Sequence, residues 1–208
     1  LFSGGVMRDL GTLGGATSDA YAINDLLQVA GVADTAAAAQ HAFLFQLDSG
    51  GSVTTRTDLG TLAGGYSYAY GLNNAGSAVG TSDGRAFVWR AGRLRDLNSL
   101  ILPDTGWQLA SASAINQSGQ IVGSGLHHGQ FRGFRLDPRS GADFDVDGDV
   151  DLTDFGHLQA CLFSGTPVPV ACEDADLAAD GSIDAGDLTV FRSCATRANV
   201  PADVHCGE

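Results

Sequence analysis

Internal repetition is the feature that most limits how this 208-residue chain can fold. The phrase DLGTLGG returns as DLGTLAGG and, weakened, as DLNSL, starting at Asp9, Asp58 and Asp96. AYAIN returns as AYGLN and ASAIN, ending at Asn24, Asn73 and Asn116. QVAGVA, SAVGTS and QIVGSG come next, and HAFLF, RAFVW and RGFRL complete the copies. Three copies of one unit follow one another, so neighbouring units should bury their apolar faces against each other.

The segments of each copy are short, alternating or β-branched, and bounded by Gly, Asn or Asp, which is typical of strands. NNAG and NQSG fit a type I turn followed by a left-handed glycine, whereas the first copy has Leu27 at that glycine position. HAFLF and RAFVW are apolar on both faces, so we expect them to lie between neighbouring sheets. RGFRL has Arg135 on its second face, which suits an end unit exposed to solvent.

These patterns predict a mainly β fold built from repeated four-stranded antiparallel units, about twelve strands in all. The phrases DLGTLGG, AIN and HAF resemble the HAF repeat, an extracellular repeat family without a settled role, over roughly Met7 to Pro138. The resemblance implies a secreted, propeller-like β-repeat protein, either part of a ring, an open arc or a prism-like arrangement. LFSGGVMRDL aligns with VWRAGRLRDL, so we expect the chain to be a fragment of a longer secreted protein.

We predict no catalytic residue in the repeats. His41 and Arg85 share one repeat position, which indicates a structural role. The recurring aspartates should hold turns or pair with a nearby arginine, namely Arg8, Arg56 or Arg95. His127 and His128 are adjacent in a strand-like segment and should point to opposite faces, which disfavours a metal site that uses both. For the aromatic residues Trp89, Trp107, Tyr66, Tyr68 and Tyr70, strand alternation favours core packing over the alternative, a sugar-stacking surface.

A dense run of aspartates opens the last third of the chain. In a twelve-residue EF-hand-type loop, side-chain oxygens come from positions 1, 3, 5, 9 and 12, a carbonyl comes from position 7, and position 6 is glycine. DFDVDGDVDLTD fills each of these positions and has Val150 at the eighth, where paired loops form a β-bridge. The predicted ligands are Asp143, Asp145, Asp147, Asp149 through its carbonyl, Asp151 and Asp154. The alternative, an acidic disordered linker, predicts no such register.

A second copy of the loop, DLAADGSIDAGD, begins at Asp176 and has Ile183 at the bridging position. Its predicted ligands are Asp176, Asp180, Ser182 through its carbonyl, Asp184 and Asp187. Ala178 occupies the third ligand position, so this site should be the weaker of two. An all-oxygen, flexible ligand set favours Ca²⁺ over Mg²⁺.

Helical spacing follows each loop. The apolar stripes are Leu152, Phe155, Leu158 and Leu162 in the first copy, and Leu188 and Phe191 in the second. Asp154 and Asp187 should lie in the first turns of these helices, where a carboxylate also suits the helix dipole. His157 is expected at the surface beside the first stripe.

From about Asp143 to Glu208 the chain resembles a type I dockerin, the duplicated calcium-loop-and-helix module that docks proteins onto cohesins. The resemblance implies a cohesin-like protein partner. Partner choice in that family relies on small hydroxyl residues at loop positions 10 and 11. Here these positions hold Leu152, Thr153, Ala185 and Gly186, of which only Thr153 matches. Cysteines are a further departure, because ordinary dockerins do not depend on them.

All four cysteines lie in this tail, at matching places of the two copies. Four cysteines allow three pairings, and the spacing favours Cys161 with Cys172 and Cys194 with Cys206. A domain of about sixty-five residues has little core, so disulfides and calcium would stabilise it. Disulfides imply an oxidising compartment. Zinc is a poorer alternative, because no CxxC spacing occurs and the carboxylates suit a harder metal.

Negative charge is concentrated in the same tail. Residues 143–208 carry fourteen acidic residues and two arginines, a net charge of −12, against −1 for residues 1–142. The chain has no lysine and its arginines are scattered, so we expect no nucleic-acid partner. No apolar run approaches the length of a membrane span.

We therefore predict a non-catalytic secreted or cell-surface protein. Residues 1–141 would form the β-repeat domain, with a polysaccharide or surface ligand, and residues 142–208 the dockerin-like calcium-binding domain. One alternative is a carbohydrate-active enzyme, such as a polysaccharide hydrolase, with a dockerin-like tail, and another is a purely structural adhesion protein. The lack of any Glu before residue 173 counts modestly against a glycosidase, whose acid/base roles usually draw on Glu as well as Asp.

Overall fold

The computed structural model describes residues 5, 7–102, 104–162, 168–178, 180–200, 202 and 206. The chain forms two compact units, Leu1–Asp137 and Pro138–Glu208. In the part of the chain that is described, no helix is both long and apolar enough to cross a membrane.

Three antiparallel sheets make up the first unit, which confirms a mainly β architecture. Sheet 1 contains β1 (Gly14–Ile23), β2 (Gln28–Thr35), β3 (Gln40–Leu47) and β4 (Val53–Gly60). Sheet 2 contains β5 (Ser67–Leu72), β6 (Ala78–Ser82), β7 (Arg85–Arg90) and β8 (Arg93–Asp96). Sheet 3 contains β9 (Trp107–Ile115), β10 (Ile121–His127) and β11 (Gln130–Leu136). In every sheet the strands pair in chain order, as expected for units joined by short hairpins.

The sequence predicts about twelve strands, and the described residues contain eleven. The difference arises because the DLGTL phrase belongs to the last strand of a sheet, not the first. Asp58 lies in β4 and Asp96 in β8, the fourth strands of sheets 1 and 2. No such phrase follows β11, where the chain continues through Pro138, so sheet 3 has three strands. The expectation of four strands in the third unit is therefore wrong.

The predicted hairpin turns between the first and second strands are confirmed. Gly76 and Gly119 have positive φ angles of 74° and 75°. Each donates its N–H to the carbonyl of the asparagine three residues earlier, at 3.1 Å. Leu27 adopts the same turn in the first copy at φ 59°, a region that a branched side chain rarely occupies.

Of the two HAF-phrase strands predicted to lie between neighbouring sheets, β7 does so, whereas β3 packs one face on sheet 2 and the other on its own sheet and on Leu10 and Leu13. Phe43 and Phe45 stack on one face of β3 with ring centroids 4.0 Å apart, and both are fully buried. Ala42 and Leu44, on the other face, share a core with Phe87 of sheet 2. The opposite face of sheet 2 packs in the same way on sheet 3 through Val79, Ala86, Leu109 and Ile121. Burial of each Phe stabilises the fold by about 1.5–3 kcal/mol. Arg135, on the end sheet, is exposed as expected.

Charged residues of the repeats form pairs between the third and fourth strands. His41 Nδ1 lies 2.9 Å from Asp58 Oδ2, and Arg85 NH1 lies 2.9 Å from Asp96 Oδ2. In both sheets the aspartate faces a phenylalanine two residues after its partner, so the two charged side chains are diagonal neighbours. The structural role predicted for His41 and Arg85 is consistent with these contacts.

Of the two roles expected for Asp58, pairing with Arg56 is not observed, because Asp58 pairs with His41. Arg56 faces Phe45 across the β3–β4 ladder, and its guanidinium lies 5.5 Å from the centre of that ring. The alternative role in turns is confirmed, since Asp58 Oδ1 accepts the Gly60 N–H and Asp9 Oδ1 the Gly11 N–H, both at 2.8 Å.

Two histidines depart from the expected geometry. His127 ends β10, and His128 follows it with a positive φ of 49°. This backbone conformation breaks the strand alternation, so the two rings lie beside each other with centroids 4.3 Å apart. The expectation that they point to opposite faces is wrong. Trp107 stacks on His127 at 4.6 Å.

The second unit contains, in its described part, α1 (Leu152–Cys161), α2 (Ala185–Cys194) and a 3₁₀-helix (Val170–Ala175). The two predicted helices are confirmed, and Asp154 and Asp187 lie in their first turns. The core includes Ala142, Val150, Leu158, Ile183 and Phe191. Leu152, expected in the apolar stripe, is 84% exposed, because the stripe begins only at Phe155.

The predicted disulfide pairing is confirmed. Cys161 bonds to Cys172 and Cys194 to Cys206. Cys161 and Cys194 are the last residues of α1 and α2, so each bridge fixes a helix end to the segment that follows it. In a unit with a small core, such bridges restrict the unfolded chain.

Candidate metal centre

The first acidic loop gathers six carboxylates into two groups. Ligand atoms of Asp143, Asp145 and Asp147 lie within 4.8 Å of one another, and the same holds for Asp149, Asp151 and Asp154. Gly148, at the sixth position, has a positive φ of 98°, which lets the chain turn back between the groups. Carboxylate oxygens at this density are compatible with a hard divalent cation such as Ca²⁺.

Asp154 ties the two ends of this loop together. It is fully buried, and its Oδ1 accepts the N–H groups of Phe144 at 2.6 Å and Asp145 at 3.2 Å. Its Oδ2 accepts the N–H of Asp151 at 2.9 Å, while the Asp151 side chain caps α1 at Thr153. This reciprocal capping box fixes the carboxylate at the helix N-terminus, where the dipole favours negative charge.

Two carboxylate oxygens in the loop are buried without a hydrogen-bond partner among the described residues. They are Oδ1 of Asp143 and Oδ1 of Asp149, whose residues are 2% and 5% exposed. A buried carboxylate oxygen without a partner is costly, and a bound cation removes that cost. These unpartnered oxygens therefore indicate that the loop can hold a metal ion, and they do so independently of the sequence spacing of the aspartates.

Electrostatic repulsion between the carboxylates of the loop also favours a bound cation. Partial desolvation, followed by the negative charges of Asp154 and Asp147, raises the pKa of the Asp145 carboxyl, although this side chain remains at the surface. A raised carboxyl pKa shows that desolvation and the neighbouring charges disfavour the charged form. A divalent cation would reverse this effect.

The second loop repeats the same local structure with fewer carboxylates. Asp187 is fully buried and accepts the N–H groups of Ala178 at 2.9 Å and Asp184 at 2.8 Å. Asp176 accepts those of Asp180 and Gly181, both at 3.0 Å. Over residues 176–178 and 180–187, no three carboxylates meet as closely as in the first loop. Ala178, at the third ligand position, contributes an N–H instead of an oxygen.

In the described part of the chain, the expected bridge between Val150 and Ile183 is not formed. The Val150 N–H donates to Thr196 Oγ1 at 3.0 Å, and its carbonyl accepts the Thr196 N–H at 2.8 Å. Both apolar side chains still lie in the shared core. The backbone of the first loop is thus paired with the chain that follows α2, and Thr196 takes the place of the second loop.

This chain after α2 makes two further contacts with the loop. The Asn199 N–H donates to Asp149 Oδ2, and the Ala202 N–H donates to the Gly148 carbonyl at 3.0 Å. We call Thr196, Asn199 and Ala202 the closing segment; it lies between Cys194 and Cys206, which the second disulfide joins. Sequence reasoning missed this segment and the Asp149 side chain, since neither belongs to the repeated pattern.

His157, expected at the surface, is partly covered. Its Nε2 lies 2.9 Å from Asp174 Oδ1, and its ring lies 4.6 Å from that of Phe144, the second residue of the first loop. It therefore packs against the back of the loop, and no group of metal-binding residues among those described includes it.

Comparison with known proteins identifies no relative. No protein-family model, curated protein or solved structure matches this chain. The function must therefore be argued from the residues and their geometry.

Proposed function

We propose that residues 142–208 form a calcium-stabilised, dockerin-like docking module, and that residues 1–141 present a binding surface of a non-catalytic secreted or cell-surface protein. The observation that carries the proposal is the buried, unpartnered Oδ1 of Asp143, the first proposed ligand, within a loop of six carboxylates. The two disulfides support an oxidising, extracellular location.

The first loop would hold Ca²⁺ through the side chains of Asp143, Asp145, Asp147, Asp151 and Asp154 and the carbonyl of Asp149. The second would use Asp176, Asp180, Asp184, Asp187 and the carbonyl of Ser182, with lower affinity because it has one carboxylate fewer. Each ion would neutralise the carboxylates of its loop and connect that loop to the first turn of the helix that follows it. Its role in this proposal is structural.

The docking surface would lie at the starts of the two helices. Leu152 is 84% exposed there and Thr153 is exposed beside it, at the loop positions that set partner choice in dockerins. Ala185 and Gly186 are exposed at the equivalent place in α2. An exposed leucine next to a polar residue suits a protein partner, which we propose to be cohesin-like.

The sheets of the repeat unit would form a propeller-like or prism-like array. Support comes from their layered packing and from the contacts of β5, the first strand of sheet 2, with β1 and β9, the first strands of the other two sheets. In such arrays the first strands lie nearest the axis and their ends form a common surface. The ligand of that surface would be a polysaccharide or a cell-surface molecule.

The first test is a calorimetric calcium titration of the oxidised full chain, followed in parallel by far-ultraviolet circular dichroism. We expect one tight and one weaker ion. Asp154→Ala should weaken the tight site by about tenfold or more, since even outer-shell changes cost 10–100-fold. Asp187→Ala is the matched control and should affect mainly the weaker site. An unchanged tight site in Asp154→Ala would show that the ligand assignment is wrong.

The second test measures docking. A cohesin module should retain the full chain in the presence of calcium and release it with a chelator. Leu152→Arg should abolish retention while leaving calcium binding intact, whereas Val200→Arg, at another exposed apolar residue, should not. Calcium binding without any cohesin retention would support the metal site and contradict the docking role.

A further inference from the structure

Each sheet of the repeat unit has a β-bulge at the same repeat position of its first strand. The pairing register shifts between Ala20 and Ala22, between Ala69 and Gly71, and between Ala112 and Ala114. The extra residues at these bulges are Tyr21 in β1, Tyr70 in β5 and Ser113 in β9. Bulges re-aim side chains and are frequent beside functional sites.

The three first strands lie next to one another, so the bulge residues form a row across the sheets. β5 contacts both β1 and β9. The backbones of β5 and β9 approach so closely that a Cβ atom on Gly71 would lie 2.8 Å from the Cα of Ala114. The rings of Tyr21 and Tyr70 have centroids 5.5 Å apart.

Two more tyrosines extend this row, Tyr68 within β5 and Tyr66 immediately before it. The centroid of Tyr68 lies 6.2 Å from that of Tyr70, with nearly parallel rings, and Tyr66 follows Tyr68 at 5.6 Å. We call Tyr66, Tyr68, Tyr70 and Tyr21 the tyrosine row. It contains all four tyrosines of the chain, so aromatic residues that carry a hydroxyl are confined to this one place in the fold.

The row is accessible, unlike the core aromatics. Tyr21 is 46% and Tyr66 is 42% exposed, and Tyr68 and Tyr70 are partly exposed. Phe43, Phe45 and Phe87 are fully buried. Phenylalanine residues therefore fill the core, and the tyrosines of the row lie at the surface.

We propose that the tyrosine row binds a neutral polysaccharide chain. The flat rings can pack against the C–H faces of successive sugar rings, and their hydroxyls can exchange hydrogen bonds with sugar hydroxyls. Polar groups lie at hand, since the Tyr68 hydroxyl already donates to Gln40 Oε1, and Ser113 is exposed on the neighbouring strand. This inference deepens the proposed function, because it names the ligand class of the repeat unit, and it rests on that unit being a binding surface.

Charge favours a neutral ligand over an anionic one. Asp19 precedes Tyr21 by two residues in β1 and is exposed. Burial, together with the nearby negative charge of Asp19, raises the pKa of the Tyr21 phenol. An acidic polysaccharide would meet this repulsion, whereas a neutral one would not.

The experiment is affinity electrophoresis of the full chain in native gels that contain hydroxyethylcellulose, galactomannan, xyloglucan or alginate. We expect retardation by at least one neutral polymer and none by alginate. Tyr21→Ala with Tyr70→Ala should weaken binding roughly tenfold per ring removed, and replacement of both by Phe should retain most of it. Phe131→Ala is the matched control, an aromatic residue 64% exposed on β11 outside the row, and should leave the mobility unchanged.

Folding of each variant is checked by the unfolding midpoint from tryptophan fluorescence. If the double variant does not fold, Tyr66→Ala, at the exposed end of the row, replaces it. Absence of retardation by every neutral polymer overturns the proposal, and so does equal retardation of the native and alanine chains. Binding should persist in a chelator, so a calcium titration on the same sample separates failure of this site from failure of the docking module.

Discussion

The side-chain amide of Asn24 donates a hydrogen bond to the main-chain carbonyl of Asn73, at 2.9 Å, and so joins the turn of sheet 1 to the turn of sheet 2. Asn73 donates in the same way to the carbonyl of Asn116 in sheet 3, at 3.2 Å. Each asparagine also accepts from a main-chain N–H of its own turn through its side-chain oxygen. The asparagine of the AIN phrase therefore closes its own hairpin and links it to the next unit.

Asn73→Ala should destabilise the repeat unit by about 1–3 kcal/mol, because it removes a buried amide and leaves the Ser77 N–H without its acceptor. Both tryptophans, Trp89 and Trp107, lie in this unit, so their fluorescence during denaturant unfolding reports on it alone. Asn116→Ala is the matched control, since among the described residues the side chain of this exposed asparagine bonds only to Gln120 of its own hairpin, and the substitution keeps the carbonyl that accepts from Asn73. Equal losses in the two variants would contradict a linking role.

Leu27→Gly should stabilise the same unit by up to about 1 kcal/mol. Leu27 has φ 59°, a left-handed conformation that costs a residue with a Cβ about 1–2 kcal/mol, partly offset by the greater freedom of glycine in the unfolded chain. The reverse change, Gly76→Leu, should be destabilising at the equivalent turn, where φ is 74°. A lower unfolding midpoint for Leu27→Gly would show that the leucine side chain contributes more packing than its backbone strain costs.

Asp83 should make the repeat unit sensitive to acid. Burial would raise the pKa of its carboxyl, but hydrogen bonds from the N–H groups of Ala63 and Tyr66 and from the Ser82 hydroxyl lower it below the ordinary value. Because the folded pKa lies below the unfolded one, the stabilisation is present above the unfolded pKa and is lost as pH falls through the folded pKa. Unfolding midpoints measured from pH 7 down to pH 3 should therefore fall less for Asp83→Asn than for the native chain. If the unfolding midpoints of the two chains fell by the same amount, groups other than Asp83 would be responsible for the acid sensitivity.

The sequence predicted what depends on local pattern. Glycine at a repeated turn position predicted the left-handed residues at Gly76 and Gly119, and alternation predicted that β3 is apolar on both faces. The register of the first acidic loop placed Gly148 at its turn and Asp154 in the first turn of α1. Such features follow from the conformations of a few consecutive residues, which composition and spacing reveal directly.

What the sequence did not reveal depends on partners that are distant along the chain. Nothing local shows that the Asn24 amide bonds to a carbonyl forty-nine residues later, or that Thr196 pairs with Val150. The expectation that the HAF phrases complete each unit was also wrong, because strand pairing adds the following strand, β4 with Asp58, to the same sheet. A single positive φ at His128 was enough to reverse the expected direction of its side chain.

Removing the second disulfide should weaken calcium binding at the first loop. With Cys194 and Cys206 both changed to Ser, the unit should lose about 3 kcal/mol, the loop-closure estimate for a ring of this size, and the closing segment should no longer hold the Asn199 N–H against Asp149. The measurement is calorimetric calcium titration beside thermal unfolding.

The other disulfide supplies a matched control for this prediction. Cys161 and Cys172 are 11 residues apart and Cys194 and Cys206 are 12, so removal of either bridge frees nearly the same chain entropy. Only the second bridge spans residues that bond to the first loop in the described structure, through Thr196, Asn199 and Ala202. We therefore expect similar losses of stability in the two double variants but a larger loss of calcium affinity without Cys194 and Cys206. If both variants lost the same affinity, the closing segment would act only through the general stability of the unit.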